Sequence, residues 1–548
     1  SPEPHPVHPE SNRVDALHAL DLWQTDPLLR ARLAERSDPH AERDDDPADL
    51  ARYGRQIGSA AAHDWAEQAN RRAPELQGLD ARGRRLERVD THPHWQRLLA
   101  SIRASGALAR PQLQGDWLRP AVLFYLHGQV EAGSLCPATM TQAALPVLAR
   151  HAPSLFEALR EPLLSTEHDD ADRPLQHKRA LWLGMGMTEK QGGSDLRSCI
   201  STATPTHGHL HGRLLYRIDG HKWFFSAPMS DAHLVLARSD EGPSCFFVPR
   251  WRFDASALNG VRLLRLKDKL GNRSNAGAEA EFHGSEGLLV GAPGRGIAVL
   301  VEMAGYTRLQ CVVGSTALMR AALVQAVHYA RGRSAFGQLL VDQPLMQQVL
   351  ADLALEWEGA LALMLRLAES FGRSAADPLE RAWQRVITPA AKFWVCKRAL
   401  QFCGEAMEVL GGNGYVETGV LARLYREAPV NSIWEGSGNV MALDVLRAAR
   451  QEGEALQAWF DALQARLESP ERARLAALRD ALAAADAETQ ARRLAAELAL
   501  LAQLSLLDGA AREAFCASRL RSGGTAGGLY GSSGIGGARA LIDRACPA

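Results

Sequence analysis

Three long helix-periodic segments follow a stretch of short apolar runs, and this order constrains the fold more than any other feature. Segments 314–337, 344–370 and 389–412 carry apolar residues three and four positions apart, with Gly or Pro near their limits. Between about 184 and 290, short apolar runs are separated by turn residues, which is typical of an antiparallel β domain. The lengths and short connections of the three later segments favour an antiparallel helical bundle.

The flanking regions complete the predicted organisation. Helical periodicity runs from Leu50 to Leu183, with His127–Val147 as one stretch, and returns in an Ala/Leu/Glu/Arg-rich tract after Ala449. Residues 1–47 are rich in Pro, His and Asp, which predicts an arm that contributes little to a core. We therefore predict an α+β fold with four units: an N-terminal arm and α-helical domain (1–184), an antiparallel β domain (185–290), an α-helical bundle (291–450) and a helical C-terminal extension (451–548).

Charge and cysteine content exclude several classes of function. The 548 residues include 62 Lys and Arg against 63 Asp and Glu, so no global field attracts nucleic acid or an anionic membrane. Eight cysteines occur without a CxxC pair, as expected of reduced thiols in a cytoplasmic protein. Because no run of 18 apolar residues exists, we expect no membrane partner.

Three segments carry residue types suited to ligand binding, although each also has an ordinary structural explanation. The glycines, Ser and Asp of "GMGMTEKQGGSDLRS" (184–198) can hold a phosphate or a flavin edge, or can simply lead into a strand. The aromatic run in "GHKWFFS" (220–226) can wall a planar ring or form the core of a sheet. Arg333, close to Phe336 and a following helix, can meet a pyrophosphate or remain a solvated cation.

The fourth segment, 408–449, contains the candidate catalytic residue. Gly411, Gly412 and Gly414 end a helix with a backbone that a ligand can approach closely. The sequence "IWEGSG" then places Glu435 beside an indole in a short turn. A desolvated carboxylate has a raised pKa and can act as a general base. The alternative is a glutamate favoured by the dipole of the next helix.

In this order, the four segments resemble the acyl-CoA dehydrogenase family, which is flavin-dependent. The resemblance covers about residues 120–450. It rests on "MTE…GGSD", "KWFFS" in place of the family's K-W-I-T, Thr307–Arg308, Arg333–Gly337, "LGGNGY" and "WEGSGN". More narrowly, "VEAGSLCPATMT" (130–141), "KDKLGNRSNA" (267–276), "PVNSIWEGSGNVMALDVLR" (429–447) and the C-terminal extension are similar to the AidB subfamily, which is associated with the adaptive response to DNA alkylation.

The resemblance implies a mechanism and a cofactor. Glu435 falls on the family's catalytic base, which removes the α-proton of an acyl-CoA thioester while the β-hydride passes to flavin N5. The family's alternative base position is Thr307, which cannot do this. The cofactor would be FAD, and the implied binding residues are Met185, Gly186, Met187, Thr188, Gly192, Gly193, Ser194, Phe224, Phe225, Ser226, Arg333, Phe336, Gly412, Trp434, Ser437 and Asn439.

The same comparison implies a homotetramer and two departures from the family pattern. Arg333, Phe336 and Gly412 match positions that meet the adenosine diphosphate half of FAD, commonly from a neighbouring subunit. Trp434 replaces the family's Tyr beside the base, which predicts a restricted acyl pocket. Phe225 replaces the family's Thr and removes a hydroxyl contact to the flavin.

A second hypothesis concerns double-stranded DNA as a partner. Residues 509–548 contain five Arg against two acids, and these arginines could form a patch that meets phosphates: Arg512, Arg519, Arg521, Arg539 and Arg544. Pairing of the arginines with neighbouring acids at a subunit interface is equally consistent with the sequence. If the arginines bind DNA, the protein is mainly a DNA-binding protection protein with incidental flavin chemistry.

His207, His209 and His211 alternate, which predicts an exposed hairpin edge rather than a metal site.

Overall fold

The N-terminal part of the chain is mainly helical, as predicted. The computed structural model describes residues 11–36, 47–521 and 528–548. Its first elements are α1 Pro27–Ala34, α2 Ala48–Ile57, α3 Ala60–Arg71, β1 Glu75–Leu79, β2 Arg85–Asp90, α4 Pro93–Ala104, α5 Arg110–Gln114, α6 Leu118–Gly128, α7 Leu135–His151, α8 Pro153–Ala158 and α9 Arg160–Leu164. The β1–β2 hairpin interrupts a region whose sequence pattern is helical throughout.

The second half of the described arm segment is packed into the core. Leu22, Trp23, Leu28 and Leu29 are buried, and the hydroxyl of Tyr125 donates to Asp26 Oδ2 at 2.8 Å. The expectation that residues 1–47 contribute little to a core is therefore wrong for 22–32, where the buried side chains are concentrated, whereas 11–19 are mostly exposed. Residues 1–10 and 37–46 lie outside the described residues.

The predicted helical stretch from His127 to Val147 is broken between α6 and α7. The carboxylate of Glu131 accepts hydrogen bonds from the N–H groups of Gly133 at 2.9 Å and Ser134 at 2.6 Å. These bonds satisfy donors where a new helix begins, so the chain turns instead of continuing along α6.

The middle of the chain folds into the expected β domain. Its strands are β3 Leu183–Gly186, β4 Thr202–Leu210, β5 Arg213–Ser226, β6 Ala232–Ser239, β7 Gly242–Pro249, β8 Val261–Leu266 and β9 Gly277–Val290. The order β3–β6–β4–β5–β9–β7 closes on itself through β6–β7, and β8 pairs with β9. All pairings are antiparallel except β3–β6 and the single bridge between β4 and β6. The predicted hairpin turns at His211 and Gly212, with φ of +49° and +70°.

The helical bundle follows the barrel. Its elements are α10 Gly296–Gly332, β10 Ser334–Ala335, β11 Gln338–Leu339, α11 Pro344–Arg373, α12 Pro378–Ala382, α13 Thr388–Val409, α14 Gly412–Tyr415, α15 Val420–Ile433 and α16 Gly438–Gln451. Helix α10 is long and apolar enough to cross a membrane, but most of its apolar stretch is buried against α6, α7, α11, α13 and α15. It is therefore packed as the central helix of the bundle.

The C-terminal extension is joined to the bundle through the buried carboxylates of α11. Its helices are α17 Gly453–Arg466, α18 Ser469–Ala483, α19 Ala491–Ser505, α20 Gly509–Cys516 and α21 Ala538–Ala545. Arg519 contacts Asp352 at 2.5 Å and Glu356 at 3.0 Å, and Arg544 contacts Glu358 at 2.9 Å. The extension therefore forms part of one folded body with α11.

Replacement of Glu356 by Ala should destabilise this junction strongly. Glu356 lies against both Arg519 and Arg398, and its removal leaves two buried guanidinium groups with less compensation. We expect a loss of about 3–5 kcal/mol in the free energy of unfolding, measured by urea denaturation. The control is Glu468→Ala, which removes an exposed partner of Arg521 and should change stability by less than about 0.5 kcal/mol. Equal effects of the two substitutions would contradict this assignment.

Candidate active site and cofactor site

The "MTEKQGGSD" loop is fixed to strand β5 by a buried ion pair. Glu189 Oε1 lies 2.6 Å from Lys222 Nζ and also accepts from Ser201 Oγ at 2.6 Å. Burial alone would raise the pKa of Glu189, but the Lys222 ammonium and the hydrogen bonds outweigh it and hold that pKa well below its usual range. The pair therefore stays ionised and keeps the loop in one position.

Close backbone contacts bring this loop and the "KWFFS" strand together. The Trp223 N–H donates to the Thr188 carbonyl at 2.8 Å. A Cβ on Gly193 would lie 2.9 Å from the Thr188 side chain, so only glycine fits there. Trp223, which was not among the expected cofactor residues, carries the Lys267 ammonium 3.3 Å from its ring centroid. The tryptophan in "KWFFS" was the available sequence signal for this position.

The structure corrects the expectation for Phe225. Successive side chains of β5 point to opposite faces, so Phe224 is about half exposed and Phe225 faces the barrel interior at 2% exposure. The Phe225 ring stacks on His233 with centroids 3.8 Å apart. Burial lowers the pKa of His233 to about 4, and its Nε2–H donates to the Ser226 carbonyl at 3.1 Å. Phe225 therefore packs the core and does not line an open face.

Glu435 lies in a left-handed turn that two cations hold in place. Helix α15 ends at Ile433, and Glu435 and Gly436 have φ of +61° and +105°. Arg308 Nε donates to the Glu435 carbonyl at 2.9 Å, and Lys392 Nζ donates to the Gly436 carbonyl at 2.6 Å. A non-glycine residue with this φ is strained, and these bonds maintain the conformation.

The position of Arg308 is set by a carboxylate on α16. Asp444 lies 3.0 Å from Arg308 Nη1 and also contacts Arg385 through both carboxylate oxygens. Arg308, Lys392 and Asp444 come from α10, α13 and α16. Lys392 lies outside the quoted motifs, and Asp444 lies within segment 429–447, which by itself gives it no role. The turn that carries Glu435 is thus connected directly to the bundle.

The environment of the Glu435 side chain suits a base. Thr307 Oγ1 donates to Glu435 Oε2 at 2.6 Å. Burial raises the pKa of Glu435, while the Thr307 hydrogen bond and the charges of Arg308 and Lys392 act in the opposite direction. Thr307 cannot itself serve as a base, but it holds one carboxylate oxygen and leaves the other for a proton.

The structure divides the expected cofactor residues into two groups. Met185, Met187 and Trp434 pack against one apolar cluster and lie with the Glu435 turn. Arg333, Phe336 and Gly412 lie at the other end of the bundle, because the 26 residues of α10 from Thr307 to Gly332 extend about 39 Å and Arg333 follows directly.

The distant group occupies an exposed hairpin and a helix end. Phe336 is fully exposed at the hairpin tip with φ of +53°, and a Cβ on Gly412 would meet no atom within 4 Å. Asn413, next to Gly412, donates from Nδ2 to the Tyr329 hydroxyl near the end of α10 at 3.3 Å. Phe336 and Gly412 are therefore accessible from the solvent, whereas Arg333 donates to the Asn12 carbonyl at 2.6 Å.

Family models match most of the chain. The "Adaptive response protein AidB N-terminal domain" matches residues 12–170, the "Acyl-CoA dehydrogenase, middle domain" matches 184–285 and the "Acyl-CoA dehydrogenase, C-terminal domain" matches 294–450. The protein belongs to the acyl-CoA dehydrogenase family. It is 50% identical over 407 residues to the putative acyl-CoA dehydrogenase AidB of Escherichia coli K12, covering 74% of each chain.

Solved structures agree with this family assignment. Caenorhabditis elegans ACDH-11 in complex with C11-CoA superposes with a TM-score of 0.83 at 25% identity, covering 99% of this chain and 93% of that one. An acyl-CoA dehydrogenase from Bacillus anthracis complexed with FAD shares the fold with a TM-score of 0.60 at 18% identity, covering 77% and 76% of the two chains.

FAD is the cofactor of the acyl-CoA dehydrogenase family, and the residues near Glu435 fit it. Ser437 precedes α16 without a side-chain bond to the helix, so its hydroxyl is open to a ligand. The indole of Trp434 is partly exposed and packs against the apolar cluster that contains Met185, and Asn439, the second residue of α16, is exposed. In the three described ranges, no group of three or more His, Cys, Asp and Glu side chains forms a metal site.

The arginines of the predicted DNA patch are all engaged within the chain. Arg519 is buried against Asp352 and Glu356, so it cannot contact a phosphate, and the expectation is wrong for this residue. Arg521 pairs with Glu471, and Arg544 with Glu358. Arg539 pairs with Asp342 and Asp543, while Arg512 donates to the carbonyls of Leu504 and Arg466. Four of the five arginines thus pair with acids of the same chain, and Arg512 binds backbone carbonyls.

Replacement of Lys222 by Met should release the cofactor loop. The substitution leaves the Glu189 carboxylate buried without its ammonium partner, which should lower the free energy of unfolding by about 3–5 kcal/mol. Urea denaturation measures this loss. Lys190→Met, on the exposed side of the same loop, is the control and should have little effect. Stability equal to that of the control would contradict the proposed anchoring.

Proposed function

We propose that this protein is an FAD-dependent acyl-CoA dehydrogenase in which Glu435 removes the α-proton of an acyl-CoA thioester. The observation that carries the proposal is a carboxylate with a raised pKa in a strained turn, with Thr307 on one of its oxygens. The C11-CoA named with the C. elegans structure supports acyl-CoA as the substrate class.

The Glu435 turn can supply both the base and its alignment. Because burial raises the pKa of the carboxylate, it is a stronger base than an exposed glutamate. Thr307 fixes Oε2, so Oε1 is the atom that we expect to take the proton. The Glu435 N–H would donate to the thioester oxygen, where negative charge develops as the proton leaves. Bound FAD supplies the acceptor for the β-hydride.

Trp434 bears on the size of the substrate. Its indole N–H donates to Asn431 Oδ1 at 3.1 Å, and the ring packs with the cluster that contains Met185. A bulky ring held in this way beside the base favours short or branched acyl groups. This preference is part of the proposal.

The separation of the two cofactor groups supports a homotetramer. Residues about 39 Å apart along α10 cannot all meet one FAD from the same chain. A neighbouring subunit that presents Arg333, Phe336 and Gly412 would complete the site, and the full exposure of Phe336 agrees with this arrangement.

Protection against DNA alkylation remains a hypothesis that rests on the similarity to AidB. The internal pairing of the C-terminal arginines gives no support to DNA binding by that surface. The cytoplasmic location also remains a prediction, and all eight cysteines are free thiols in buried positions, which agrees with it.

Glu435→Gln should abolish α-proton removal while FAD stays bound. Glutamine keeps the shape of the side chain but cannot accept the proton. The measurement is deuterium uptake at the α-carbon of a short acyl-CoA in D₂O, followed by NMR under anaerobic conditions. We expect at least about a hundredfold slower exchange, since a positioned base contributes about 10²–10⁴-fold. The control is Glu427→Gln, at a buried glutamate of α15, the helix that precedes the Glu435 turn. Exchange at the wild-type rate in Glu435→Gln would exclude Glu435 as the base.

Thr307→Val should move the pH dependence of the reaction. The base acts as a carboxylate, so the exchange rate should rise with pH through the pKa of Glu435. Removal of the Thr307 hydrogen bond removes an interaction that lowers this pKa, and the acidic limb should therefore shift to higher pH. The measurement is the pH profile of α-proton exchange, with Thr316→Val on the same helix as the control. A shift to lower pH would contradict the assignment.

A further inference from the structure

Two cationic side chains converge on the first residue of α16, close to the Glu435 turn. A Cβ on Gly438 would lie 2.9 Å from Lys397 Nζ and 3.2 Å from Arg492 Nη1. Lys397 belongs to α13, whereas Arg492 belongs to α19 of the C-terminal extension. The bundle and the extension therefore place positive charge at the same point.

This pair has no carboxylate to balance it. Among the residues that the structure describes, no Asp or Glu oxygen lies within 4 Å of either cation. Arg492 Nη1 donates to Asn439 Oδ1 at 2.9 Å, and Lys397 Nζ contacts Ser432 Oγ at 3.4 Å. Both cations also lie over the Phe393 ring, with distances to its centroid of 5.5 Å for Lys397 and 5.2 Å for Arg492.

The pKa of Lys397 agrees with an uncompensated charge. Burial lowers this pKa first, and the Arg492 charge lowers it further. Other cations of the bundle have a carboxylate partner: Arg308 pairs with Asp444, and Arg398 pairs with Glu356. An anion between Lys397 and Arg492 would relieve the repulsion.

The groups beside the pair are also suited to an anion. Ser437 makes no side-chain bond to α16, so its hydroxyl is available. The 14-residue helix α16 begins at Gly438, where its unpaired N–H groups and dipole favour negative charge. A phosphate accepts hydrogen bonds from ammonium, guanidinium and hydroxyl donors together.

We propose that Lys397 and Arg492 form a phosphate-binding site for a nucleotide ligand of this protein. The proposal rests on the proposed function, which supplies two ligands with such phosphates, FAD and acyl-CoA. Arg492 lies beyond the matched family domains, which end at residue 450. The C-terminal extension thus contributes a ligand-binding residue, in addition to its packing against α11.

The experiment compares ligands with and without phosphates on the full-length protein. The variants are Arg492→Gln and Lys397→Gln, with Arg492→Lys as a charge-preserving rescue. The matched control is Arg493→Gln, at the next residue of the same helix, which is exposed and donates to Gln490 at 2.5 Å. Dissociation constants are measured at low and high salt for FAD against riboflavin, and for a short acyl-CoA against the same acyl group on pantetheine.

The expected result is a loss of affinity that depends on phosphate. Each Gln variant should bind FAD or the acyl-CoA about ten- to a hundredfold more weakly than wild type at low salt, the range for one charged hydrogen bond. The difference should shrink at high salt. Riboflavin and the acyl-pantetheine should bind unchanged, and Arg492→Lys should keep most of the affinity. The ligand whose affinity falls, FAD or the acyl-CoA, is the source of the phosphate.

Two results would overturn the proposal. Unchanged affinity for both FAD and the acyl-CoA would mean that the cations bind neither phosphate. An equal loss for riboflavin or acyl-pantetheine, or an equal loss in Arg493→Gln, would mean a packing or general charge effect. The proposed function has a separate test. Wild-type α-proton exchange in Glu435→Gln would exclude Glu435 as the base, whatever the dissociation constants of the Lys397 and Arg492 variants are.

Discussion

Three buried carboxylates on α11 impose the main constraint on this fold. Asp352, Glu356 and Glu358 are each at most 3% exposed, and a buried carboxylate is costly unless a cation and hydrogen bonds compensate it. The compensating arginines are Arg32 of the N-terminal arm, Arg398 of α13, and Arg519 and Arg544 near the C-terminus. Both extensions of the chain must therefore dock on the bundle before the carboxylates of α11 are compensated.

Buried cations also position the candidate active site, but there they bind backbone carbonyls and not carboxylates. Arg308 and Lys392 bind two successive carbonyls and maintain the left-handed conformation of Glu435. Asp444 in turn fixes Arg308, so the base is positioned by α10, α13 and α16 together. Lys397 and Arg492 are the exception, since their charges converge without a carboxylate, and that exception indicates a ligand.

The sequence predicts the parts of this arrangement that depend on local pattern. Helical periodicity and the short apolar runs predict the α, β, α order, and the motifs identify Glu435 and the loop that ends at Ser194. Contacts between distant segments leave no periodic signal, so the roles of Lys392, Asp444 and Arg492 could not be inferred from the sequence. The burial of side chains between Leu22 and Arg32 and the inward face of Phe225 depend on the tertiary fold for the same reason. The internal pairing of Arg519 was one of two alternatives until its partners on α11 were known.

The central claim is that bound FAD accepts electrons from an acyl-CoA that Glu435 deprotonates. The most direct test is an anaerobic titration of the purified holoprotein with a series of short straight-chain and branched acyl-CoAs, following the flavin absorbance. The account predicts that at least one member bleaches the oxidised flavin in the wild-type protein. A flavin that stays oxidised across the whole series, at concentrations where acyl-CoA binding is saturated, would contradict it.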